Sequence, residues 1–170
     1  MQNALEAVNI LKYAAEMEKS GQAFFLEKSE QFQNPVTRKL FLDLAEIEES
    51  HYRFIVRQLE RYSENPDDFT VSEDVKSHDE STFFAQRDDA ERLDVTLTES
   101  QVPDLNVLRM AYLIERDFKE FYADAMDLVD DPELKSLFEM LSRWESGHEK
   151  LFKGEYDRLK REYLTMPWGG

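Results

Sequence analysis

The sequence repeats itself when it is shifted by 97 positions, and the register holds without a gap from Ala14 to Arg61. The coincident pairs include Glu18 with Glu115 and His51 with His148. Because one repeat cannot bury its apolar face alone, we expect the two copies to pack face to face. The repeat therefore predicts two similar halves related by a pseudo-twofold axis.

Apolar side chains recur at helical spacing, and glycine and proline together account for only ten residues. Asn34-Pro35 and Asp131-Pro132 each place a capping side chain before a proline at the first helical position. These signals predict two helical hairpins, over residues 3–62 and 103–163. Residues 63–102 are polar and too many for a tight turn, which suits a long crossover with a short helix near residues 82–92. We expect one domain over residues 1–170, ending in a tail at 164–170.

The composition excludes several classes of function. A net charge of −16 makes nucleic acids and anionic membranes poor partners. Without cysteine the chain has no disulfide, thiolate zinc site, iron–sulfur centre or cysteine nucleophile, so any metal must be held by oxygen and nitrogen. The sequence has no signal-peptide pattern at its start and no long apolar run. We therefore expect a soluble, cytoplasmic protein.

Each predicted hairpin carries one glutamate on its first helix and a Glu-x-x-His motif on its second. The i, i+3 spacing places the carboxylate and the imidazole on one helical face, and the lone glutamate lies at nearly the same height above the turn. Four buried carboxylates would be strongly disfavoured unless cations neutralised them. Two divalent ions balance the four charges. The predicted metal ligands are Glu18, Glu48, His51, Glu115, Glu145 and His148. Mixed carboxylate and imidazole donors favour iron or manganese over zinc.

These motifs resemble the rubrerythrin-like di-iron-carboxylate branch of the ferritin-like superfamily. The resemblance covers about residues 4–62 and 103–163 and includes the aromatic pairs Phe24-Phe25 and Phe121-Tyr122. It implies an all-α, ferritin-like four-helix bundle of two hairpins joined by a long crossover. It also implies two iron ions, with manganese or a mixed pair as alternatives, bridged by Glu48 and Glu145.

The family resemblance implies that the protein reduces peroxide or dioxygen. Two departures bear on this activity: the cysteine-ligated rubredoxin iron of full-length rubrerythrins is absent, and Phe118 stands where a further carboxylate is typical. An external donor protein must then supply the electrons, and we expect no catalytic residues beyond the ligands. The alternatives are an iron-binding ferroxidase for iron storage or delivery, and a structural bundle without turnover. We also expect a homodimer, in which the hairpins could be exchanged.

We also make predictions for residues that are not ligands. Glu46 and Glu49 should be solvated, and His78 should lie in solvent within the crossover. The Tyr122 hydroxyl could hydrogen-bond a ligand carboxylate. Trp144 should belong to the core.

Overall fold

The computed structural model describes residues 2–32, 35–72 and 102–165. These ranges contain four long α-helices, one short 3₁₀ helix at Pro66–Asp68, and no strand. The long helices are α1 (Gln2–Ser29), α2 (Pro35–Glu64), α3 (Val102–Leu128) and α4 (Pro132–Thr165). The predicted all-α class and the four helices are confirmed, with ends that differ from prediction by a few residues. The predicted helix near 82–92, the Asn34 cap, His78 and residues 166–170 of the tail lie outside the described residues.

The chain divides into two compact units. The first comprises Met1–His78 and Glu120–Ser142, and the second comprises Asp79–Lys119 and Arg143–Gly170. The first unit therefore contains α1, α2 and the turn between α3 and α4, while the second contains the beginning of α3 and most of α4. The organisation of residues 1–170 as one domain stays a prediction.

The core of the first unit follows the predicted apolar rows. Their members lie at helical spacing, so each helix turns one stripe inward that is mainly apolar and is interrupted by buried polar residues such as Glu18, Glu48 and His51. The helical spacing predicts that Val8 and Leu59 also face inward, but both are only half-buried. The buried apolar side chains of α1 and α2 are Ala7, Leu11, Ala14, Ala15, Phe25, Leu40, Phe41, Leu44, Ala45, Ile55 and Tyr62.

The turn of the second hairpin lies beside the end of α2. The Val71 backbone N–H, just beyond α2, donates a 2.8 Å hydrogen bond to Glu133 Oε2 at the start of α4. Burial, together with the charges of Asp131 and Asp67, raises the pKa of the nearby Tyr62. The second turn is thus at the opposite end of α2 from the first turn, which precedes Pro35.

The second unit has its own buried side chains. Trp144 is among them, as expected, and the rings of Tyr112 and Tyr156 lie 5.6 Å apart. Lys119 and Glu149 form an ion pair between α3 and α4. The buried apolar residues of this unit are Leu108, Ala111, Phe118, Trp144, Phe152 and Leu159.

The predicted cap of α4 is present. Asp131 Oδ1 accepts hydrogen bonds from the backbone N–H groups of Glu133, at 2.8 Å, and Leu134, at 3.2 Å. These bonds satisfy donors that have no partner inside the helix, which fixes where α4 begins.

Replacing the cap by Asp131→Ala should lower the free energy of unfolding by about 1 kcal/mol, because the first N–H groups of α4 lose their acceptor. Urea unfolding followed by helical circular dichroism measures the change. Asp131→Asn keeps the acceptor oxygen and should stay close to the parent. Glu139→Ala, at an exposed site on α4, is the control for removing a surface carboxylate. Equal losses for Asp131→Ala and Glu139→Ala would contradict the capping role.

Candidate metal centre

The first unit buries one lone glutamate and one Glu-x-x-His motif together. Glu18 on α1 and Glu48 on α2 are both 0% exposed, and His51 is 1% exposed. His51 Nδ1 lies 3.6 Å from Glu18 Oε2 and 3.9 Å from Glu48 Oε2. One ligand atom from each of the three residues lies within 4.8 Å of the other two. The helical packing thus brings together the first three predicted ligands, here called triad 1.

The second unit builds the same arrangement from the other copy of the repeat. His148 Nδ1 lies 3.3 Å from Glu115 Oε2 and 3.2 Å from Glu145 Oε2. All three side chains are fully buried, and their ligand atoms again lie within 4.8 Å of one another. This set is triad 2. In both triads the imidazole presents Nδ1 to a carboxylate of its own motif and to the lone glutamate.

Tyr122 is a hydrogen-bond partner of Glu18 outside triad 1. Its hydroxyl donates a hydrogen bond to Glu18 Oε1, and both side chains are completely buried. The expected hydrogen bond to a ligand carboxylate is therefore present. Tyr122 also follows Glu115 by seven residues, two turns along the same face of α3, which is the sequence signal for its inward position.

Other carboxylates of the motif region point away from the triads. Glu46 is exposed, and Glu49 is partly exposed and forms an ion pair with Arg53 one turn along α2. Phe118 is buried at the position where the family resemblance would place another carboxylate. Within the described residues, the first unit therefore offers the triad 1 side chains and no additional ligand from Glu46 or Glu49.

The buried charges of triad 2 perturb each other strongly. Burial is the main cause that raises the pKa of Glu115 well above its ordinary value, against the lowering effect of His148. For His148, burial alone would lower the pKa, but the carboxylates Glu145 and Glu115 outweigh it and raise the pKa well above its ordinary value. Without a cation, this triad keeps protons that exposed groups would release near neutral pH.

One buried carboxylate oxygen in each triad accepts no hydrogen bond from the described residues, which is consistent with a bound cation. Glu18 Oε2 and Glu115 Oε1 are buried, and neither accepts a hydrogen bond in the described part of the chain. A buried carboxylate oxygen without a donor is costly, whereas coordination of a metal ion would satisfy it. Each triad supplies two carboxylates and one imidazole, a donor set that suits divalent iron or manganese. Triad 1 and triad 2 could therefore each hold metal.

Comparison with known protein families agrees with this geometry. The family model described as Rubrerythrin matches residues 9–156 of the chain. The chain belongs to the rubrerythrin family. A search of curated proteins found no match, and neither did a search of solved structures.

Membership of the rubrerythrin family has two consequences. The family is one of ferritin-like four-helix bundles, so the predicted fold class is confirmed together with the four helices. The matched range spans both triads, so the residues that could bind metal are part of the family's domain.

No helix in the described ranges combines the length and the hydropathy needed to cross a membrane.

The free energy of unfolding of the metal-free protein should fall as the pH rises from about 5 to about 8. Glu115 and His148 hold protons more tightly in the folded chain, since their pKa values lie above the ordinary 4.5 and 6.5. Their stabilising contribution is complete at low pH and is lost as the pH rises through the raised values. Exposed carboxylates are ionised in both states over most of this range. Urea unfolding at a series of pH values measures the trend.

Bound Fe(II) should oppose this trend, because the metal takes the place of the protons and its affinity increases with pH. The difference in unfolding free energy between the metal-loaded and metal-free protein should therefore grow from about pH 5 to about pH 8. A metal-free protein that becomes more stable over this range, or a difference that does not depend on pH, would contradict the assignment of the buried charges.

Proposed function

We propose that this protein is a non-haem di-iron oxidoreductase of rubrerythrin type that reduces hydrogen peroxide or dioxygen. The observation that carries the proposal is the burial of two equivalent Glu₂His triads in a chain of the rubrerythrin family. The internal repeat supports the same role for both triads, which together supply four glutamates and two histidines. The proposed ligands of the two ions are Glu18, Glu48, His51, Glu115, Glu145 and His148.

Iron, when bound, supplies the electrons for breaking the O–O bond. Reduction of hydrogen peroxide then consumes two electrons and two protons and yields two molecules of water. An external donor protein returns the electrons, since the chain has no cysteine to carry a rubredoxin iron. We propose that the protein acts in the cytoplasm, as a homodimer.

The chain's own residues perform three tasks in this proposal. The two imidazoles and the four glutamates would bind the ions, and the glutamates would neutralise their charge. Tyr122 holds Glu18 in one orientation through its hydroxyl. Apolar neighbours that are almost or completely buried, such as Ala15, Leu44 and Ile55, exclude bulk water from triad 1. A dry surrounding strengthens the electrostatic interactions of the ligands and limits side reactions of the bound oxidant.

Single-turnover chemistry tests the proposal. The anaerobically prepared Fe(II) protein should consume about one hydrogen peroxide for every two irons, because each Fe(II) gives one electron. Residual peroxide and bound iron are measured on the same sample. The double variant His51→Ala plus His148→Ala should lose iron affinity by more than about 100-fold, since removing a ligand costs more than removing the group that orients it. His78→Ala, which removes the third histidine, should leave both quantities unchanged.

Two experimental outcomes would contradict this proposal and support a different function. Oxidation of many irons per chain into a mineral core, with little peroxide consumed after the first turnover, would support iron storage or delivery instead. A folded protein that binds no iron above background, or a double histidine variant that retains all of its iron, would support a structural bundle without turnover.

A further inference from the structure

The most informative difference between the two copies of the repeat lies beside the ligands. Tyr122 in the second copy corresponds to Phe25 in the first copy. Both side chains are completely buried. The Tyr122 hydroxyl donates to Glu18 Oε1, whereas the Phe25 ring packs edge-on against Phe41, with centroids 5.7 Å apart. The second copy of the repeat therefore has a buried hydroxyl donor at a position where the first copy has only an apolar ring.

The Tyr122 hydroxyl restricts Glu18 in two ways. It occupies Oε1, which leaves Oε2 as the oxygen that faces His51 Nδ1 at 3.6 Å. It also fixes the rotation of the carboxylate before any ion arrives, since the donor is itself held in the core and its ring stacks on Phe138. A ligand that is already oriented loses less conformational freedom when the metal binds.

Glu115, the counterpart of Glu18 in the repeat, has a different environment. Its Oε2 lies 3.3 Å from His148 Nδ1, and its buried Oε1 accepts no hydrogen bond from the described residues. The residue that corresponds to Tyr122 in the repeat is Phe25, whose ring has no hydroxyl to donate. Glu115 Oε2 is thus paired with His148, and among the described residues Oε1 has no donor like the one that Tyr122 provides to Glu18 Oε1.

We propose that Tyr122 makes the two metal positions unequal, so that the position built on Glu18, Glu48 and His51 fills first. Tyr122 is a positioning residue, which acts through Glu18 and does not touch the metal. The position built on Glu115 fills second, because no hydroxyl of the described residues orients the Oε1 side of its carboxylate. This inference rests on the proposed di-metal function and adds an order of filling to it.

Anaerobic titration of the metal-free, full-length protein with Co(II) tests the order, with the visible absorption of bound Co(II) as the readout. The parent protein should bind two ions in two steps whose affinities differ by at least about 10-fold. Tyr122→Phe should weaken the first step by about 10- to 100-fold, the usual effect of losing a group that orients a ligand, and leave the second step nearly unchanged. His51→Ala should abolish the tighter step, and His148→Ala the weaker one.

A second tyrosine variant is the matched control. Tyr62→Phe removes the hydroxyl of another buried tyrosine in the first unit, about 16 Å along α2 from His51, and should leave both steps unchanged. Circular dichroism and urea unfolding show whether each variant is folded. A general loss of packing would weaken both steps together.

Three results would overturn the inference. The first is a parent titration with two equal steps, and the second is a folded Tyr122→Phe variant whose first step is unchanged. If peroxide consumption by the Fe(II) protein persists in either case, the order of filling is wrong and the proposed function stands. The third is a parent protein that binds no Co(II), together with no iron and no peroxide consumption, which would overturn both proposals.

Discussion

Burial of charge is the constraint on which the rest of this structure depends. Four glutamates on four helices are each 0% exposed, and each ionised carboxylate would cost several kcal/mol to bury without compensation. Long helices satisfy their own backbone hydrogen bonds, so they can carry such side chains into an apolar interior at a fixed height. The histidines one turn away offset part of the cost in the metal-free protein, and a pair of divalent ions would offset the remainder. The buried groups could therefore hold metal, and we expect the stability of the metal-free protein to depend on pH.

Local sequence signals were sufficient to predict the helices and the members of each triad. The i, i+3 spacing alone places Glu48 with His51 and Glu145 with His148, and the 97-residue repeat adds the two lone glutamates. The start of α4 also followed from one residue, because Asp131 caps it in the way that its position before a proline indicates.

The arrangement of the second turn could not be predicted in the same way. Helical periodicity shows which face of a helix is buried but not which end of a neighbouring helix it meets. That choice depends on contacts between residues far apart in sequence, such as Val71 with Glu133 and the influence of Asp131 on Tyr62. The partner of Tyr122 was also open, because an inward position on α3 does not specify which glutamate its hydroxyl reaches. Val8 and Leu59 show the usual limit of an apolar pattern, since residues at the edge of the stripe remain half-buried.

The central claim is that the buried triads are ligands of two metal ions. Anomalous diffraction at the iron absorption edge, from crystals of the anaerobically Fe(II)-loaded protein, tests it most directly. We expect two strong anomalous peaks per chain, each within bonding distance of carboxylate oxygens and of Nδ1 of His51 or His148. Peaks found only on exposed acidic side chains, or no peak beside the triads, would contradict it.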